Sequence, residues 1–126
     1  MGDCGKMETF DEWHVIYYKT LHGEKPVYEF IQHLDETSKA KIINVINLLA
    51  QYGVAVKGPH IKKLRGTNLW ELRTVGKDNI RIFYVTWTGK TFLLLHGFKK
   101  KKQKTATKEI AIALKRFENY KARVVT

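Results

Sequence analysis

Residues 64–105 read LRGTNLWELRTVGKDNIRIFYVTWTGKTFLLLHGFKKKKQKT, and this stretch sets the architecture of the chain. The runs Leu69–Thr74, Ile80–Trp87 and Thr91–Lys99 are rich in aromatic and aliphatic residues and are separated by turn formers, the pattern of strands. Gly76–Lys77–Asp78–Asn79 and Thr88–Gly89–Lys90 are short enough to be hairpin links, so the three strands are expected to pair antiparallel. Within Ile80–Trp87, Ile80, Ile82 and Tyr84 alternate with Phe83, Val85 and Trp87, so the strand is apolar on both faces and belongs at the centre of the sheet. Ile61–Leu64 supplies a short edge strand.

Toward the N-terminus, Trp13–Lys19 (WHVIYYK) has the composition of a first strand. Pro26 then suits the first turn of a helix in which Val27, Phe30, Ile31 and Leu34 recur at helical spacing. A second helix, with Asp35, Thr37 or Ser38 as alternative N-caps, keeps Ile42, Ile43, Val45, Ile46, Leu49 and Ala50 in period until Gly53. Toward the C-terminus, Ile110, Ala113, Leu114 and Phe117 mark a last helix capped by Thr105 or Thr107. The pattern is α+β, with residues 1–12 as a flexible tail and 13–126 as a single domain.

With 126 residues, 44% of them hydrophobic, the chain has material for one core. Its net charge of +11 is unevenly placed: residues 61–126 carry 17 Lys and Arg against 4 acids, whereas residues 1–60 carry 6 against 8. Clustered cations gain free energy by releasing counterions from phosphate backbones, which puts nucleic acid first among partners and an acidic protein second. No segment approaches the roughly 20 apolar residues of a membrane span. The single cysteine, Cys4, leaves no internal disulfide and no cysteine-based zinc site, and a reducing, cytoplasmic compartment is expected. The start MGDCGK has Lys6 where a myristoylation signal needs Ser or Thr, and nothing in the first twelve residues resembles a secretory signal.

Several residues carry chemistry. Arg81 shares the parity of Phe83, Val85 and Trp87, so its guanidinium must meet an anion. Two readings stand side by side: an ion pair with Glu71 on the preceding strand, or bidentate binding of a phosphate. Glu71 and Arg73 emerge from one sheet face, with Trp70 and Leu72 on the other; a solvated polar face explains the same pattern. His60, Lys62, Lys63 and Arg65 surround the entry to the sheet, where cations position phosphates and His60 is placed to accept a proton. Lys99–Lys102 and Lys104 read either as a solvated turn or as a phosphate-binding run beside the strand carrying Arg81. His96, between Leu94 and Phe98 at strand spacing, reads as a satisfied core histidine. The histidines are scattered, and no metal-ligand spacing or Gly-rich phosphate loop is present.

The succession KKLRG, LWELR, IRIFYV and LLLHGFKKKKQKT, followed by a helix, resembles the RelE/ParE toxin superfamily, in its phage-derived, HigB-like branch. The resemblance spans about Trp13 to Tyr120 and implies a RelE-like fold: N-terminal strand, helical hairpin, antiparallel sheet and C-terminal helix. It implies the toxin of a toxin–antitoxin pair, a ribosome-dependent endoribonuclease that cuts mRNA without metal or cofactor by attack of a ribose 2′-hydroxyl on its own 3′ phosphodiester. Its expected partners are a cognate helix-turn-helix antitoxin, the ribosome and mRNA, with no membrane. By this resemblance Arg81 matches the arginine that stabilises the phosphate. Lys99 and Lys100 stand near the basic or histidine residues after the last strand. His60 lies where one branch carries its carboxylate base, and Glu71 occupies the position of a functional lysine. The expected catalytic set is therefore Arg81, Lys99, His60 and Glu71, with Lys62, Lys63, Arg65, Arg73, Lys100, Lys101, Lys102 and Lys104 binding RNA. A functional tyrosine of the superfamily is not matched, because the corresponding stretch here is Lys-rich and holds Thr105. The rival within the fold is a ParE-type gyrase poison; the rival of another class is a non-catalytic RNA-binding phage accessory protein.

Overall fold

In the computed structural model, which describes residues 12–56, 58–74, 76–104 and 107–124, the chain alternates between one sheet and the helices on its two faces. The elements in order are β1 (His14–Tyr17), α1 (Pro26–Gln32), α2 (Glu36–Tyr52) with a 3₁₀ turn at Gly53–Ala55, β2 (Ile61–Lys63), β3 (Trp70–Arg73), β4 (Ile80–Trp87), β5 (Thr91–Lys99) and α3 (Thr107–Val124). The five strands lie in the order β1-β5-β4-β3-β2, so the doubly apolar β4 is the middle strand, as its alternation predicts. β2 through β5 form the expected antiparallel meander.

The fold is α+β as expected, but the sheet is mixed. β1 pairs parallel with β5, His14 opposite Thr91 and Tyr17 opposite Leu94. A parallel pair needs a long crossover, and here everything between β1 and β5 provides it. The segment read as a tail lies outside the described residues except for Glu12, as does Thr105 before α3.

Each sheet face buries its own cluster. On one side Leu72, Ile82, Tyr84, Phe92 and Leu94 pack against Val27, Ile31, Ile42, Val45 and Leu49 of α1 and α2. On the other, Phe83, Val85, Leu93, Leu95 and Phe98 pack against Ala113 and Phe117 of α3. Fully burying such a side chain contributes roughly 1.5–3 kcal/mol, so β4 is held by apolar burial on both sides. Of the three alternative caps of α2, Asp35 is the one used: its carboxylate accepts from Ser38 N at 2.8 Å. The helix ends at Gly53, whose φ of +62° and contact with the Trp13 indole leave no room for a Cβ. α1 lies across β5 with the Phe30 ring over Gly97, where a Cβ would come within 2.6 Å of that ring. A bulge between β4 and β5 pairs Phe83 with His96 and Tyr84 with Leu94, so Leu95 and His96 both lean toward α3. Among the described residues, no helix is long and apolar enough to cross a membrane.

Candidate functional site

The α3 face of the sheet is apolar where the helix covers it and charged beyond. Strand register builds the charged part: Arg73 stands opposite Arg81, Lys62 opposite Glu71, and Arg81 opposite Phe98. Two arginines directly opposed across strands repel one another. Glu71 compensates, its Oε1 lying 3.8 Å from Arg81 Nε and 4.0 Å from Arg73 Nη1. One carboxylate thus serves two guanidiniums, leaving one positive charge unmatched.

This ion cluster is buried and incompletely bonded. Glu71 is 2% and Arg81 9% exposed, and neither Glu71 Oε2 nor Arg81 Nε has a hydrogen-bond partner. The Arg81–Glu71 contact, at 3.8 Å, is longer than a hydrogen bond. Arg81 Nη1 donates to Ile80 O at 3.0 Å, a local bond that fixes the plane of the guanidinium. Burial lowers the Arg81 pKa from its ordinary value; Glu71 works against that shift and Arg73 adds to it. The fork nevertheless stays charged at neutral pH. A buried arginine with an unmatched charge and an idle donor has the chemistry to receive an anion.

The lysine run completes the enclosure. Lys100 N donates to Asn79 O at 2.8 Å, which straps the segment after β5 over the start of β4. Asn79, Arg81, Lys100, Lys101, Lys102 and Gln103 then bound an open concavity of about 270 Å³. Arg73 is fixed at its other side, its Nε donating to Pro59 O at 2.6 Å. His60 is half-buried beside it: Arg73 N donates to His60 O at 2.9 Å, and the His60 Nδ1 lies 3.3 Å from Arg73 O. A carbonyl oxygen can only accept, so Nδ1 carries the proton of that contact and Nε2 is the other nitrogen of the ring.

The structure therefore brings Arg81, Arg73, Glu71, His60, Lys62 and the Lys100–Lys102 run to one face or its rim, and sends other expected residues elsewhere. Lys63 pairs with Trp70 on the opposite face, its Nζ 6.0 Å over that ring. Lys99 pairs with Ile80, and strand alternation turns it toward the helical hairpin. There its charge reaches Asp35, whose pKa is lowered first by hydrogen bonds from Ser38 and to a lesser degree by Lys99. Arg65 is exposed in the β2–β3 turn, and Lys104 is exposed beyond the concavity. Lys99 is therefore not among the residues that bound the Arg81 concavity.

One cluster was not foreseen from the sequence. His96 Nε2 lies 2.6 Å from Glu109 Oε1, and Arg116 Nη1 donates to His96 Nδ1 at 3.3 Å and to Leu95 O at 2.8 Å. Burial lowers the His96 pKa, Glu109 opposes that shift, and Arg116 reinforces it. His96 is neutral with the proton on Nε2, and it stacks on Phe98 at 5.4 Å. It is a satisfied interior histidine, as its setting predicts, but its partners come from α3. Glu109 and Arg116 are seven residues apart, two helical turns on one face, and that spacing was the available signal.

Among the described residues, no group of three or more His, Cys, Asp and Glu side chains is placed to hold a metal ion. The family described as "Phage derived protein Gp49-like (DUF891)" matches residues 29–118, which run from within α1 through most of α3, and the chain belongs to that family. No curated protein matches the chain.

Proposed function

We propose that this Gp49-like protein is a RelE/ParE-superfamily toxin of the HigB-like branch, an endoribonuclease that cleaves mRNA on the ribosome in the cytoplasm and is neutralised by a cognate helix-turn-helix antitoxin. The observation that carries the reading is the Arg81 cluster: a buried guanidinium with an unmatched charge, opening into a concavity walled by three lysines. Such a site fits a phosphodiester.

In the proposed reaction the ribose 2′-oxygen bonds to the adjacent phosphorus and the bond from phosphorus to the 5′-oxygen breaks. This leaves a 2′,3′-cyclic phosphate and a 5′-hydroxyl. Arg81 and the Lys100–Lys102 run hold the non-bridging oxygens, where negative charge grows in the phosphorane-like transition state. His60, with Nε2 as acceptor, takes the 2′-hydroxyl proton. A lysine ammonium of the same run protonates the leaving 5′-oxygen. Glu71, sequestered between two arginines, acts as their fixed counter-ion and not as the base. Lys99, which does not bound the concavity at Arg81, has no part in the chemistry. The reaction needs neither metal nor cofactor.

The test is induced expression of the parent and of Arg81→Ala with transcript mapping. Growth arrest with truncated messages, lost in the variant, supports the nuclease. Arrest with a DNA-damage response and intact transcripts assigns the chain to the gyrase poisons instead, and absence of toxicity assigns it to RNA-binding accessory proteins.

A further inference from the structure

The lysine run has two sides, and only one faces Arg81. On the other side lies a second opening of about 260 Å³, bounded by the same Lys100–Lys102 together with Phe98, Lys99, Lys104, Lys108 and Glu109. Its one acid is withdrawn from it: Glu109 is half-buried and bonded to His96. Lys104 and Lys108 are exposed, so their ammonium groups are available to an anion at its rim. Phe98 forms an apolar floor, itself packed between Phe83 and His96. The two openings thus share a wall three lysines long, and each has cations of its own.

A nucleic-acid strand carries a phosphate about every 3.4 Å of duplex axis, so a chain with one phosphate at Arg81 presents its neighbours to whatever lies just across that wall. We propose that the second opening is a phosphate subsite for nucleotides flanking the scissile one, with Lys104 and Lys108 as its distinguishing cations. This inference rests on the RNA reading of the Arg81 site. Lysines offer rotatable point charges to phosphate and no base-reading fork, so the subsite adds affinity and site length without adding sequence preference.

The experiment measures equilibrium binding of the whole chain to two RNA probes blocked against cleavage by 2′-deoxy substitution, a dinucleotide with a single phosphodiester and an octanucleotide. The parent is compared with Lys104→Ala/Lys108→Ala and with Lys19→Ala/Lys115→Ala, which removes the same charge from exposed positions outside both openings. The expected result is a drop of at least ~5-fold in octanucleotide affinity for the Lys104/Lys108 variant alone. Its slope of log affinity against log salt should be shallower by about 0.7 for each phosphate that the variant no longer neutralises. Dinucleotide affinity should be unchanged. Equal drops in the two double variants, equal drops on both probes, or no drop on the octanucleotide would each overturn the subsite while leaving the Arg81 site standing. A parent protein that binds neither probe overturns the RNA reading and the subsite with it.

Discussion

Replacing Arg81 by Ala has two consequences that the geometry allows to be separated. The first is structural: Glu71, 2% exposed, keeps only Arg73 at 4.0 Å, and its Oε2 is still without a partner. Breaking a buried ion pair by deleting one member costs about 3–5 kcal/mol; the pair removed here is widely spaced and a second arginine remains, so the expected destabilisation is about 2–3 kcal/mol. The second is chemical: removing a donor to the developing phosphorane charge slows cleavage at least ~100-fold, or about 2.7 kcal/mol of barrier. Arg81→Ala/Glu71→Gln distinguishes them, because neutralising the orphaned carboxylate should return about 1–2 kcal/mol of stability while restoring none of the rate. Arg81→Lys, which keeps the charge and loses the planar fork, should fall between parent and Arg81→Ala in rate. Urea unfolding gives the stabilities, and single-turnover cleavage of ribosome-bound message gives the rates. A folded Arg81→Ala/Glu71→Gln protein that cleaves at the parent rate would reduce Arg81 to a partner of Glu71 and remove it from the chemistry.

Other outcomes follow from the same geometry. His60→Ala should lower the single-turnover rate by at least ~100-fold while leaving RNA affinity within a factor of ~2 of the parent; an unchanged rate would remove His60 from the mechanism. The His96 pKa lies below its ordinary 6.5 in the folded protein, so the unfolded chain takes up a proton first and the stability conferred by the neutral ring is lost as pH falls from 6.5 through the folded value. Urea unfolding of parent and His96→Gln across that window should show the parent losing more stability on acidification, and parallel curves would contradict it. Gly97→Ala sets a Cβ 2.6 Å from the Phe30 ring and should destabilise by about 1–3 kcal/mol in urea unfolding, a penalty that Phe30→Leu should partly relieve. An additive double variant would show that α1 does not depend on that close approach.

What was legible in the sequence was what short-range pattern encodes. The bounds of β4 and β5 were readable because both are continuous aromatic and aliphatic runs set between turn formers, and the turns hold Asn79 and Lys90 at positive φ. Arg81's parity with Phe83 and Val85 gave its face and pointed to Glu71, now found at 3.8 Å. The parallel partnership of β1 was not legible, because it joins segments some eighty residues apart and leaves no local mark. Neither was the bulge that sets Leu95 and His96 on one side, since it depends on pairing with β4. Lys99 was grouped with Lys100 by proximity along the chain, although it is the last residue of a strand and its direction follows from Phe98. Glu109 and Arg116 were legible as neighbours on α3, but their target on β5 was not, because docking of a helix on a sheet is a tertiary choice.

Whether this fold breaks RNA through a 2′-hydroxyl at the Arg81 site is decided by the ends of the cut strand. Purified protein, ribosomes and a defined message should yield fragments ending in a 2′,3′-cyclic phosphate paired with fragments beginning in a 5′-hydroxyl. A single 2′-deoxy substitution 5′ to the cut should abolish cleavage at that position only. Fragments bearing a 5′-phosphate, cleavage that survives the 2′-deoxy substitution, or an intact message with programmed ribosomes would contradict that chemistry.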